Sequence, residues 1–236
     1  RHQRRVQDIL DPFINIFMRL LGRFSSHQEY TEKDISPYFI VNGPPPQDAD
    51  WRVLAQSQFI DWKIKIGGLV KHERAFSLAD LKNDFRKVEQ ITKHNCIQGW
   101  SGVAKWGGVS IADIIKEVEP LPEARYMVFY AYDTKYDTEG IVGRKYYGTF
   151  TIEEMMMPQS ILAYEMNGVA LPLEHGAPLR VRAEARLGFK MVKYLKSIEF
   201  VADIKDIGDG KGGYRQDAQF YEIGRASCRE RVCCGV

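Results

Sequence analysis

His94-Asn95-Cys96-Ile97-Gln98-Gly99-Trp100 and, further on, His175-Gly176-Ala177-Pro178-Leu179-Arg180 are the stretches of this 236-residue chain from which its reading grows. The first sets one thiol in a turn rich in glycine and tryptophan. The second supplies an imidazole and a guanidinium, and Gly188-Phe189-Lys190-Met191-Val192-Lys193 adds ammonium groups behind it. A thiolate is the soft ligand among side chains, and coordination would hold it deprotonated. Arg offers phosphate a planar fork and Lys a point charge. Each feature also has an ordinary alternative. A lone Cys is commonly a small buried hydrophobe, and His175, Arg180 and Lys193 read equally as surface groups on loop and strand. Cys96 could instead be a nucleophile with His94 or His175 as its base.

Around Cys96, Gly99, Gly102, Gly107 and Gly108 would permit close backbone approach to a bulky ligand. Trp100, Trp106 and, near the C-terminus, Tyr214 are candidate pocket walls. The chain is 44% hydrophobic and 27% charged, which places it among folded globular domains. It lacks any run of about 18 apolar residues that would span a bilayer. It begins without Met and without a signal-peptide pattern, so it is expected to be part of a longer protein.

Three regions are expected. Residues 1–34 read as a basic amphipathic helix and linker. Val6, Ile9, Leu10, Phe13, Ile16, Phe17, Leu20, Leu21 and Phe24 recur at helical spacing among Arg1, Arg4, Arg5, Arg19 and Arg23. Such a helix suits either a membrane surface or the flank of its own domain. Residues 35–222 form the main domain. Residues 223–236, beginning Ile223-Gly224-Arg225-Ala226-Ser227-Cys228-Arg229-Glu230-Arg231-Val232, resemble a translated sequencing-library adapter and are set aside. That removes three arginines and one glutamate, which cancels the formal charge of +2, and takes three of the four cysteines. Cys96 remains alone, and a neutral domain gives no support for a nucleic-acid partner.

Within the domain, Ile35–Asn42 reads as an extended lead-in strand and Trp62–Ile66 as a half-buried strand turning at Gly67-Gly68. Ser77 and Ser110 look like N-caps of short helices. Tyr126–Tyr132, Ile161–Met166, Leu179–Ala183 and Val192–Phe200 read as strands, and Ile152–Met157 as helix. Short strands and helices mix without a βαβ repeat, so the expected fold class is α+β.

The string Cys96-Ile-Gln-Gly-Trp-Ser-Gly-Val-Ala-Lys-Trp-Gly-Gly-Val109, then Leu162-Ala-Tyr-Glu-Met-Asn-Gly168, then the His175 and Gly188 segments, resembles in order and spacing the molybdopterin-dependent oxidoreductases of the sulfite oxidase fold. The resemblance extends over about residues 35–222 and includes the bacterial-type catalytic subunits that reduce methionine sulfoxide. It implies that Cys96 ligates molybdenum, and that His175, Arg180 and Lys193, with the Met191 and Val192 backbone, meet the pterin and its phosphate. It further implies that Phe39, Val41 and Asn42 meet the cofactor, with Asp133 as another contact, and that Trp106 lines the approach to the metal. The activity implied is oxygen-atom transfer or two-electron redox on a small substrate, with a separate electron carrier such as a membrane cytochrome. Sulfite oxidases proper carry cations where this chain has Val41, Gly43, Trp100 and Ser101, which argues against sulfite. A cofactor-binding module without turnover is the rival reading.

Overall fold

The structure, a computed structural model, describes residues 30–135 and 143–217. The expected helix over residues 1–24 and the tail at 223–236 lie outside the described residues. The chain divides into Arg1–Tyr30 and Thr31–Val236, and every element below belongs to the second unit. Its strands are β1 (Lys63–Gly68), β2 (Arg74–Ser77), β3 (Lys87–Asn95), β4 (Ser101–Ser110), β5 (Tyr126–Lys135), β6 (Arg144–Thr151), β7 (Ser160–Met166), β8 (Val169–Ala170), β9 (Arg180–Ala183) and β10 (Leu195–Val201). The α-helices are α1 (Ala49–Gln56), α2 (Leu78–Asn83), α3 (Ile111–Val118) and α4 (Ile152–Met155). The fold is α+β, as the mixed pattern implied.

Two sheets organise it. The first runs β2-β1-β10-β5-β6, with β1 and β10 parallel and the other pairs antiparallel. The second runs β3-β4-β7-β8, and β9 shares with β8 the far edge of β7. Strict alternation explains β1, where Ile64 and Ile66 are buried between exposed lysines. In α3, Ile111, Ile114, Ile115 and Val118 fall at helical spacing and all are buried. Ser77 caps α2 by accepting from the Asp80 amide at 3.1 Å, and Asp80 returns the bond to the Ser77 amide at 2.7 Å. Ser110 precedes α3 but makes no side-chain cap.

The large core also has to satisfy its polar atoms. Trp62 donates to the Leu195 carbonyl at 3.3 Å and Trp51 to the Ala177 carbonyl at 3.1 Å, so these indoles bury their surface without an orphaned N–H. A second, smaller cluster of Phe39, Ala104, Trp106, Ile161, Ala163, Met166 and Leu171 fills the second sheet behind the functional cavity.

Several expectations are corrected. Ile35–Asn42 forms no strand; Pro37 has no N–H to give a ladder, and the segment is tied to β4 through Ser36 and Val103 alone. Gly67-Gly68 closes β1 from within, and the chain turns at Gly68, with φ 87° and its carbonyl accepting from the Val70 amide at 2.8 Å. The strand expected from Val192 starts at Leu195, because Gly188–Lys190 is a 3-10 turn and Tyr194 takes a left-handed φ of 58°. Of the glycines after Cys96, Gly102, Gly107 and Gly108 lie within β4, and only Gly99 stands in the turn beside the thiol. At Gly108 a Cβ would come within 2.0 Å of the Leu162 carbonyl oxygen. That glycine exists to let β7 approach.

Candidate active site

Cys96 follows the last residue of β3. Its amide donates to the Trp100 carbonyl at 2.9 Å and its carbonyl accepts from the Gly99 amide at 3.1 Å. Gly99 closes this turn with φ 89°, a conformation open to glycine. The thiol is 8% exposed and lines a cavity with about 700 Å³ of empty space, counting its open mouth. Among the described residues only weak contacts reach Sγ, from Asn42 Nδ2 and to Gln98 Oε1, each at 3.9 Å.

One wall is aromatic. Phe39 sits at its centre, with ring centroids 5.6 Å from His94, 6.1 Å from Trp100 and 5.6 Å from His175. The same cavity is lined by basic groups. Arg180 opens β9 and is 3% exposed; its Nη1 donates to the His175 carbonyl at 2.8 Å, while its Nε has no partner. Burial, and then the Arg182 charge, push the Arg180 pKa down to about 9. His175 is half-buried, and burial followed by the Arg180 charge lowers its pKa. Lys193 Nζ donates to the Asn42 carbonyl at 2.9 Å and to the Glu174 carbonyl at 3.1 Å, pinning the N-terminal segment to the His175 loop. Asp133 from β5 and Tyr146 from β6 bring the first sheet to the same cavity, and Met191 completes it.

Of the residues expected from the sequence, Phe39, Asn42, Cys96, Asp133, His175, Arg180, Met191 and Lys193 line this one cavity. Four do not. Val41 is 36% exposed, and its neighbour Ile40 lines the cavity instead. The Val192 side chain is buried in the large core between Met191 and Lys193, and the expectation there concerned its backbone. Trp106, expected beside the metal, is 0% exposed in the smaller core, where it packs on Phe39 at 5.7 Å. Tyr214 is 1% exposed and stacks on Tyr146 at 5.2 Å, while Arg215 lines the cavity.

Sequence reasoning also missed Tyr146 and Gly188, and weighed His94 only as a base. His94 was findable, since it stands two residues before Cys96, the period at which an extended chain returns to one face. Tyr146 belongs to β6, whose Tyr-Tyr-Gly-Thr-Phe run carried a strand signal that was not used.

The family described as oxidoreductase molybdopterin binding domain matches residues 51–206. The protein-methionine-sulfoxide reductase catalytic subunit MsrP of Ralstonia nicotianae is 33% identical over 144 residues, covering 59% of this chain and 44% of that protein. Its counterpart in Xanthomonas axonopodis pv. citri is 32% identical over the same length, covering 45% of the relative. The chain thus spans under half the length of these relatives. Among solved structures, the sulfane dehydrogenase SoxCD of Paracoccus pantotrophus aligns with a TM-score of 0.52 at 20% identity, over 65% of this chain and 44% of that one, which shows a shared fold. Because the family match takes in more than half of its residues, the chain belongs to the molybdopterin-binding oxidoreductases of the sulfite oxidase family, whose cofactor is molybdenum–molybdopterin.

Proposed function

We propose that the cavity holds the molybdenum–molybdopterin group and that the protein reduces a small sulfoxide to the sulfide, its oxygen leaving as water with two protons, and with two electrons supplied by a separate carrier. The observation that supports this most is Arg180. It is a guanidinium buried to 3% exposure in the cavity that Cys96 lines, with Nε unpaired and no carboxylate in ion-pair reach among the described residues. A buried cation without a counter-charge is unfavourable, and a pterin phosphate is the anion that would relieve it. The Cys96 thiol, held among the described residues only by contacts at 3.9 Å, is equally available to a metal. Among the described residues no three His, Cys, Asp or Glu side chains converge to hold a metal ion, so a metal here would draw most of its ligands from its cofactor. The residues present therefore fit the group.

When bound, the cofactor supplies two-electron oxygen chemistry that side chains lack. The chain's own residues do the rest. Cys96 would be the protein ligand, and Arg180 and His175 would face the phosphate and pterin. Lys193, through the Asn42 and Glu174 carbonyls, sets the spacing of the two segments that flank them. Phe39, Ile40, Trp100 and Met191 give the cavity an apolar side that excludes water. That side suits a neutral sulfoxide better than a doubly charged oxyanion, and the relatives are named for methionine sulfoxide. They are also named catalytic subunits, which supports a separate electron-carrying partner. A membrane-bound cytochrome is the partner proposed, with residues 1–24 lying on the same membrane. Among the described residues no helix is long and apolar enough to cross a membrane.

The test is metal and pterin analysis of the full chain from a molybdopterin-competent host, with turnover of methionine sulfoxide under a reduced viologen dye. Near-stoichiometric molybdenum and sulfoxide turnover are expected. Cys96→Ser should retain pterin and lose turnover by more than about tenfold. Folded protein devoid of molybdenum and pterin would sink the reading, and molybdenum without turnover would leave a binding module.

A further inference from the structure

His94 lies on β3, two residues before Cys96, and lines the same cavity. Its Nδ1 lies 2.9 Å from Arg182 Nη1. A guanidinium carries only donors, so Nδ1 has to accept. A neutral imidazole that accepts at Nδ1 carries its proton on Nε2. Arg182 has no freedom to release it. It is fully buried, its Nε and Nη2 hold the two oxygens of Glu184 at 2.9 and 2.7 Å, and Nη2 reaches Thr92 Oγ1 at 3.4 Å. Glu184 is fixed in turn by Gln90 Nε2 at 3.0 Å.

The ring is also held on its other sides. Phe39 and Trp100 pack on it at centroid distances of 5.6 and 5.5 Å. Gly188 leaves the space its far edge occupies: a Cβ there would lie 2.2 Å from Nε2. Among the described residues Nε2 has no hydrogen-bond partner, although Nδ1 is tied. One ring nitrogen is thus committed to the fold and the other is left for a ligand.

We propose that His94 is the substrate-side hydrogen-bond donor of this cavity, presenting Nε2–H to the oxygen of an oxygen-bearing substrate, with Arg182 and Glu184 as positioning residues that fix its tautomer. The inference rests on the oxygen-transfer reading of the cavity. A preset donor stabilises negative charge that builds on that oxygen as its bond to sulfur weakens, and it needs no rearrangement to do so.

Two measurements on the full-length holoprotein test it. Nitrogen-15 spectra of histidine-labelled protein, with His94→Gln subtracted to assign the signal, should show a neutral ring protonated at Nε2. A proton on Nδ1, or on both nitrogens, would overturn the proposal. In turnover of methionine sulfoxide, His94→Phe keeps the aromatic contacts and removes the donor, and should lower kcat about a hundredfold at unchanged molybdenum content. His94→Gln restores an N–H donor and should recover most of that loss. Equal losses in both variants, or none in His94→Phe, would also overturn it. A molybdenum-loaded wild type that never reduces the sulfoxide would instead defeat the oxygen-transfer reading, while the nitrogen spectrum still decides whether Arg182 fixes the ring.

Discussion

Arg182 and Glu184 form a salt bridge with almost no access to water: the side chains are 0% and 8% exposed. Such a pair contributes little net stability over an apolar pair of the same shape, but removing one partner leaves a buried charge uncompensated. Arg182→Met should therefore cost about 3–5 kcal/mol in chemical denaturation, and adding Glu184→Leu should recover part of it. A loss under about 1 kcal/mol would mean that Glu184 finds water. At this scale the sequence was legible by residue type and less so by direction. Cys96, Arg180 and Lys193 announce their chemistry wherever they point. Val41, Val192 and Tyr214 are each next to a residue that reaches the cavity, namely Ile40, Met191 and Arg215. At Val41, in extended chain, a shift of one residue reverses which side chain faces in; Tyr214 stands in a helical turn, where neighbours diverge by about 100°, and side-chain type alone reports neither direction.

The β3–β4 hairpin was the element least visible beforehand. Its second strand reads Ser-Gly-Val-Ala-Lys-Trp-Gly-Gly-Val-Ser, and glycine-rich runs suggest turns. Here tertiary pairing overrides that signal, because β4 pairs with β3 from Ser101 to Val109 and with β7 from Trp106 to Ser110. The register shifts between Gly107 and Gly108 where β7 comes close. Gly108→Ala would place a methyl against a backbone carbonyl, which cannot swing aside as a side chain can. It should destabilise the fold by at least about 2 kcal/mol, read as a lower midpoint in urea. An unchanged midpoint would mean that β7 can move away without cost. By contrast β1, α2 and α3 were plain in the sequence, since their alternation, cap and helical spacing are local signals that the packing follows.

Across the whole fold, the segment leading to residue 217 closes over the first sheet. Lys190 Nζ donates to the Thr149 carbonyl at 2.6 Å and the Gly212 carbonyl at 2.9 Å, and Thr149 Oγ1 donates to the same Gly212 oxygen at 2.7 Å. Tyr147 donates to Asp217, whose carboxylate also receives the amides of Asp209 at 3.1 Å and Lys211 at 3.3 Å. Burial, then the Arg186 charge, press the Lys190 pKa down to about 7 from its ordinary 10.5. Between those values the unfolded chain holds a proton that the folded protein has released, so stability rises with pH across the window and falls back as pH drops toward 7. Lys190→Met should flatten that slope, measured as urea midpoints at two pH values inside the window. A slope that persists in the variant would assign it to other groups.

Trp106 carries a last consequence. The guanidinium carbons of Arg180 and Arg182 lie 4.8 and 4.3 Å from the centre of its ring. For Arg182 the charge is also cancelled by Glu184. For Arg180 the indole is the favourable neighbour, and a π face attracts a cation without neutralising it. A carboxylate in that place would have consumed the charge; the ring leaves it intact and directed at whatever enters. The tryptophan that does not line the cavity thereby leaves the Arg180 charge available to it.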